Sequence, residues 1–441
     1  MTLHAPDPRP LIALASDTPP GGANKLHSPE PPPEILRCSS TADFLAALPS
    51  LAGFTAENSL FVVCFQGNRG GNVIRIDLPD SDAPKVATGF LDCVVSLLHD
   101  TGAGAERPAL AITTTLSFAE SGAVPRGRLA HQIKRRFRRE GWQLRELAVI
   151  ASDGWCGLLG ESGGRARPLS EIEQSPIAAK ARRRDRSYGD LAMVGTLPQA
   201  DPARTAAVQN QLRTITQRQS DDDGHEATAR VNRVLLRISR AASVADACLR
   251  AVHESAIASP GSTASLHATK KHQRRRVPAR LLAKFIESAQ QQQGWLVCVL
   301  TVLTRAEFVV EMVHDTGAER FAEIALGSAP DSPPGPHDAW SIRHLLTSLS
   351  YEMPPRERLR SAIAVTEDAI VHAPAETRPA LYALLAWAWW ALGMQSVAAR
   401  IVGDGLALAP EHKLLVMVQQ LSETPPAAHL IDLREQFANA A

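Results

Sequence analysis

Between residues 38 and 160 the apolar side chains switch repeatedly between a period of two and a period of about 3.6, and after about His225 only the longer period survives. "SLFVVCFQ" (59–66) and "NVIRIDL" (72–78) have the β-branched and aromatic content of strands. The glycine-rich Gly67-Asn68-Arg69-Gly70-Gly71 between them reads as a hairpin connection. From Pro84 the spacing turns helical, with Val86, Phe90, Val94 and Leu97 or Leu98 on one stripe. "PALAITTTLS" (108–117) returns to strand, and residues 126–140 form a helix with Leu129, Ile133 and Phe137 in line. "LRELAVIAS" and "WCGLLG" are two more strands around the tight-turn pair Asp153-Gly154. Ahead of them all, Ser40 three residues before Asp43 marks a helix start, and Pro49 should end that helix. The order β-β-α-β-α-β-β predicts two crossover helices between parallel neighbours and a hairpin at each end. The expected fold class is therefore an α/β mixed sheet of about five strands with flanking helices, followed by an all-α domain.

Composition divides the rest. Residues 1–36 are rich in Pro, Gly and Ser and predict a disordered tail, and the apolar stretch Leu11 to Ala15 is too short for a signal-peptide core. The α/β domain spans 37–163, a basic connector with short helices spans 164–224, and a helical domain spans 225–430. Near its end Tyr382, Leu385, Ala386 and Trp389 lie at i, i+3, i+4 and i+7. Ala362, Ala369 and Pro374 recur 36 residues later as Ala398, Gly405 and Pro410, a spacing that resembles tetratricopeptide hairpins. Gly405 stands where that pattern prefers Ala and should weaken its helix. With about one and a half hairpins, the unit is expected to pack against the helices before it. Trp387, Trp389 and Trp390 are expected in the core. The uncharged run at 380–394 falls short of the roughly 20 residues that span a bilayer, so no membrane span is predicted.

Two stretches carry a family resemblance. "STADFLAALPSLAGFTAENSLFVVCF" with "RIDLP", and the closing "LLAWAWWALGMQSVAARIVGDGLALAPEHKLL", resemble the two ends of an actinobacterial family numbered 4192 among the domains of unknown function. The resemblance runs from about residue 37 to about 425. It implies architecture and lineage, and no activity.

The chemistry-bearing residues exclude more than they propose. His-Asp-Thr-Gly occurs twice, at Asp100 and Asp315, and Asp-Thr-Gly used twice is how pepsin-like proteases supply their carboxylates. Here both copies follow helical patterns, so each reads as a helix ending and not as half of a dyad. No phosphate-loop, dinucleotide, nucleophile-elbow or histidine-pair motif is present, and no metal or cofactor is predicted. Six scattered cysteines without a C-x-x-C suit reduced, buried thiols in a cytoplasmic protein. Lys+Arg of 47 against Asp+Glu of 46 rules out a global polycation. Local clusters remain: Arg126, Arg128, Lys134, Arg135, Arg136, Arg138 and Arg139 share a helix with no acid among them, and residues 180–186 and 270–276 add two more basic runs. Such clusters could hold phosphate backbones, although no aromatic residue placed to stack on bases is interleaved with them, Phe137 belonging to the apolar stripe. Glu57, Arg75, Asp77 and Asp153 are the polar residues expected nearest the sheet's ends. The leading functional expectation is a non-catalytic interaction or scaffold protein, with a protein partner for its helical domain. The alternatives are nucleic-acid association through the basic helices and a small-molecule enzyme at the sheet edge.

Overall fold

The computed structural model describes residues 38–66, 69–100, 107–159, 163–183, 189–222, 228–257, 277–316, 321 and 356–423. The expected tail at 1–36 lies outside them. Ser40 accepts a hydrogen bond from the Asp43 N–H at 3.1 Å and opens helix α1 (Thr41–Ala52). Pro49 does not end this helix, contrary to the expectation. The chain continues to Ala52 and stops at Gly53, whose N–H donates to the Pro49 carbonyl at 2.9 Å. A proline in the final turn forfeits its own N–H but keeps its carbonyl, so the turn still closes.

Strands β1 (Ser59–Gln66) and β2 (Arg69–Asp77) follow as the predicted hairpin, with Gln66 opposite Arg69. Helix α2 (Pro84–Asp100) leads to β3 (Ala109–Thr113). The short α3 (Phe118–Ser121) and then α4 (Gly127–Arg139) lead to β4 (Glu146–Ile150) and β5 (Trp155–Gly157). The sheet order is β2-β1-β3-β4-β5, antiparallel throughout except for the β3–β4 pair. The crossover through α4 joins parallel neighbours as expected. The one through α2 instead passes over β1, because β1 pairs with β2 and β3 alike and holds them one strand apart.

Alternate residues sort onto two faces. Leu60, Val62, Leu110, Ile112, Leu147, Val149 and Cys156 share one apolar cluster with α2 and α4. The α4 stripe is the expected one, with Leu129, Ile133 and Phe137 buried. That of α2 is turned by one residue: Ala87, Leu91, Val94 and Leu98 face the sheet, and Val86 is 46% exposed. The opposite face presents Phe61, Val63, Ala111, Ala148 and Trp155, which belong to a second cluster that runs without interruption into the helical half.

That half begins with α5 (Ser170–Glu173), α6 (Pro176–Arg183) and a 3₁₀ turn at Leu191–Met193. Long helices α7 (Pro202–Asp222) and α8 (Thr228–Ile257) follow, then α9 (Ala279–Gln290), α10 (Gln292–Leu303) and α11 (Ala306–Thr316). The last four are α12 (Arg356–His372), α13 (Arg378–Ala391), α14 (Gln395–Leu408) and α15 (Lys413–Ser422). Among the described residues no strand follows β5, and no helix is long and apolar enough to cross a membrane. Helix α12 contacts α7, α8, α9 and α10, so the C-terminal helices do pack on those before them. In α13 every residue from Pro379 to Ala391 except Tyr382 is buried, including Trp387, Trp389 and Trp390.

Arginines tie these helices together. Arg358 of α12 donates to the carbonyls of Thr301 and Val302 at the end of α10, and to Asp246 of α8. Arg204 of α7 forms an ion pair with Asp368 of α12 and donates to the Val277 carbonyl. Each satisfies groups that would otherwise be left unpaired between packed helices.

Gly405 differs from its expected role. A Cβ there would lie 2.7 Å from Leu415 Cδ2 and 2.9 Å from Tyr382 Cβ, so α13, α14 and α15 approach closely because the side chain is missing. Gly403, two residues earlier, has nothing within 4 Å. Gly405→Ala is expected to lower stability by about 1 kcal/mol, since overpacking outweighs the gain in helix propensity. Gly403→Ala should raise stability by about 0.5–1 kcal/mol. Denaturant unfolding of both variants checks the pair, and a stabilised Gly405→Ala would contradict the close approach.

Candidate functional site

Of the four polar residues placed at the sheet's ends, three come together. Glu57, Arg75 and Asp77 line a cavity of about 240 Å³ with Asp190, Ser396 and Arg400, between the β2 edge and the start of α14. Arg75 and Asp77 share a strand face and form a bidentate ion pair. The Arg75 Nε also donates to the Ser59 hydroxyl at 2.9 Å, and another guanidinium nitrogen reaches Ser396 Oγ at 3.4 Å. Arg400 donates to the carbonyls of Ala192 and Val194. Both cations thus spend donors on the protein itself, and the cavity reads first as a polar seam between sheet and helices. Asp153 is not part of it. It sits in the β4–β5 turn, where its carboxylate accepts the N–H groups of Phe118 at 2.8 Å and Ala119 at 3.1 Å. These two donors hold its carboxyl below the usual aspartate range.

The cationic helix α4 is more consequential, because the structure divides its seven charges. Arg126, in a left-handed conformation (φ 57°) just before the helix, pairs with Asp82 at 2.7 Å. Arg136 pairs with Asp92 of α2 at 2.8 Å and with Glu140 at 2.9 Å. The other five have no ion-pair partner among the described residues: Arg128, Arg135, Arg138 and Arg139 are exposed, and Lys134 is partly so. At 100° per residue, Arg128, Arg135 and Arg139 fall within an arc of about 40°, opposite the buried stripe, and extend over about 16 Å.

The end of α4 supplies an aromatic residue that the sequence reading does not find, packed on the buried stripe and not on the row of exposed arginines. Gly141 adopts φ 78° and its N–H donates to the Arg138 carbonyl, while the Trp142 N–H donates to the Phe137 carbonyl. This is a Schellman ending, with its usual apolar contact between Phe137 and Trp142 at 5.4 Å between ring centroids. Trp142 is only partly buried, and the His99 ring of α2 lies against it, tilted by 52° with centroids 4.8 Å apart. An acid-Gly-apolar ending after a helical stripe was the available signal.

The two basic clusters that fall among the described residues do not converge. Residues 180–183 lie on α6, which contacts α1, and α1 covers the sheet face opposite α4. The run at 270–276 lies outside the described residues. Both His-Asp-Thr-Gly copies meet helix ends: α2 finishes at Asp100 and α11 at Thr316, with Asp315 exposed. Gly102 and Gly317 are not among the described residues. Of the six cysteines, Cys38 and Cys93 are exposed and the other four buried. Burial pushes the Cys156 thiol up to about 11 and Cys298 up to about 12, and raises Cys64 and Cys248 as well, so these remain protonated at neutral pH.

A family model described as "Domain of unknown function (DUF4192)" matches residues 42–335, a span that takes in the whole sheet and helices α7 to α11. The chain belongs to DUF4192. No curated protein and no solved structure matches it. In this DUF4192 protein the matched span ends before α12, so Ser396 and Arg400 of the seam come from outside it.

The Asp153 cap gives a pH prediction. A carboxyl depressed in the folded state contributes stability above its unfolded value of about 3.9, and that contribution is lost as pH falls through the folded value. The stability difference between the wild type and Asp153→Asn should therefore narrow as pH drops from about 5 toward 3, measured by urea unfolding. A difference that stays flat would remove the cap's electrostatic role.

Proposed function

We propose that this DUF4192 protein is a non-catalytic interaction protein that holds the phosphate backbone of nucleic acid on the outer face of α4. The supporting observation is the division of charge on that helix. Asp82, Asp92 and Glu140 are taken up by Arg126 and Arg136, which leaves Arg128, Arg135 and Arg139 in a row on the outer face, with Arg138 exposed about 80° to one side. Guanidinium groups in a row match phosphate geometry through bidentate pairing, and they bind by displacing counterions without reading bases.

Four phosphate contacts imply that log K falls against log salt with a slope of about −3.6 on duplex DNA and about −2.8 on a single strand. Arg135→Glu combined with Arg139→Glu should abolish binding at low salt, whereas Arg305→Glu, an exposed charge on another surface, should leave it unchanged. Fluorescence anisotropy over a salt series measures both. Binding that survives the double reversal would end this reading.

A second reading gives the helical half a protein partner. It rests on three exposed apolar side chains, Leu236 of α8 with Phe308 and Val310 of α11, on helices in mutual contact. Leu236→Lys with Phe308→Lys should then release whatever partner affinity capture recovers from the wild type. A partner retained by that variant would exclude this surface.

A further inference from the structure

We infer that the cavity between the β2 edge and α14 binds a small molecule that carries one carboxylate and two cationic groups, the chemistry of a basic amino acid. The inference is independent of the α4 reading. The walls of the cavity are tied to one another. Thr55 and Asp190 form a parallel bridge, in which the Thr55 N–H donates to the Gly189 carbonyl at 3.0 Å and the Leu191 N–H donates to the Thr55 carbonyl at 2.7 Å. Asp190 is thereby held beside the segment that leads to Glu57. The Ser59 hydroxyl donates to the Glu57 carbonyl at 2.7 Å and accepts from Arg75. Arg400 of α14 closes the remaining side through its bonds to Ala192 and Val194. The charges are thus set in place by the fold before any ligand arrives.

Those charges do not balance within the cavity. Arg75 and Asp77 cancel each other. Asp190 accepts the Ala192 N–H through one carboxylate oxygen at 3.0 Å and pairs with no cation among the described residues. The Glu57 carboxylate has neither a hydrogen-bond nor an ion-pair partner among them. Arg400 meets only carbonyls, so two of its five N–H groups are used and its charge is matched by no carboxylate. The lining therefore carries two unmatched negative charges and one unmatched positive charge. A ligand carboxylate suits the free guanidinium donors of Arg400, and two cationic groups suit Glu57 and Asp190. At about 240 Å³ the cavity is smaller than the roughly 300–1,000 Å³ of sites for drug-sized ligands, so an occupant of single amino-acid size fits it. The competing account is the polar seam alone, with Glu57 and Asp190 answered by water.

The test is calorimetric titration of the full chain with L-arginine, L-lysine, L-glutamate and agmatine, which is arginine without its carboxylate. L-Arginine or L-lysine should bind saturably, with a Kd of about 1 mM or below. L-Glutamate, whose charge balance is the reverse, and agmatine should each bind at least about tenfold more weakly. Glu57→Gln removes a carboxylate that makes no bond to the protein, and Asp190→Asn keeps an oxygen for the Ala192 N–H. Both variants should melt as the wild type does and weaken L-arginine about ten- to a hundredfold. Absence of saturable binding by both basic amino acids up to about 10 mM, or unchanged affinity in Glu57→Gln, overturns the site. Agmatine bound as tightly as L-arginine overturns the role given to Arg400, and L-glutamate bound as tightly overturns the charge assignment. These ligand comparisons are made on the wild type, so they decide the matter even where a variant melts early.

Discussion

One sheet face governs the architecture. Both crossover helices, α2 and α4, lie on the face built from Leu60, Val62, Leu110 and Ile112, so the other face has no crossover to cover it. Phe61, Val63, Ala111 and Trp155 must therefore be buried by something else, and the apolar cluster they begin extends through α1 into the helical half. Burying a large apolar side chain contributes about 1.5–3 kcal/mol, so neither part would keep its stability if this contact were opened. The arginines complete the junction with directional bonds. Arg204 and Arg358 fix α12 against α7, α8 and α10, and Arg400 fixes α14 against the 189–195 segment.

How much of this is legible in the sequence varies with the range of the interaction responsible. The strands and the α4 stripe follow from local periodicity, and local physics is what periodicity records. The α2 stripe is misplaced by one residue because Val86 and Ala87 are both apolar, and only packing against the sheet decides between them. Pro49 and Gly405 are read by propensity, yet their positions are set by a closing turn and by neighbouring helices that propensity does not describe. The crossover over β1 is hidden for a similar reason, since a connection shows that two strands run in the same direction and not that they touch.

The site shows the same limit. Seven cations on one helix can be counted directly, but which are neutralised depends on Asp82 and Asp92, 44 residues before their partners Arg126 and Arg136. Glu57, Arg75 and Asp77 lie together beside the start of the β1–β2 hairpin, whose pairing is local, while Asp153 belongs to the far side of the sheet and answers to α3. Trp142 escapes notice because the eye follows the arginine run to its end and stops, whereas the helix cap lies just beyond it.

The polar seam at Arg75 has a consequence for association between molecules. Strand β2 is a sheet edge, and an edge of this length offers a row of backbone donors and acceptors to any other extended chain. The charged pair Arg75 and Asp77, with the first turn of α14 set beside them through Ser396, occupies the place where such a strand would dock. The same residues that fasten the C-terminal helices to the sheet therefore also protect it from edge-to-edge aggregation.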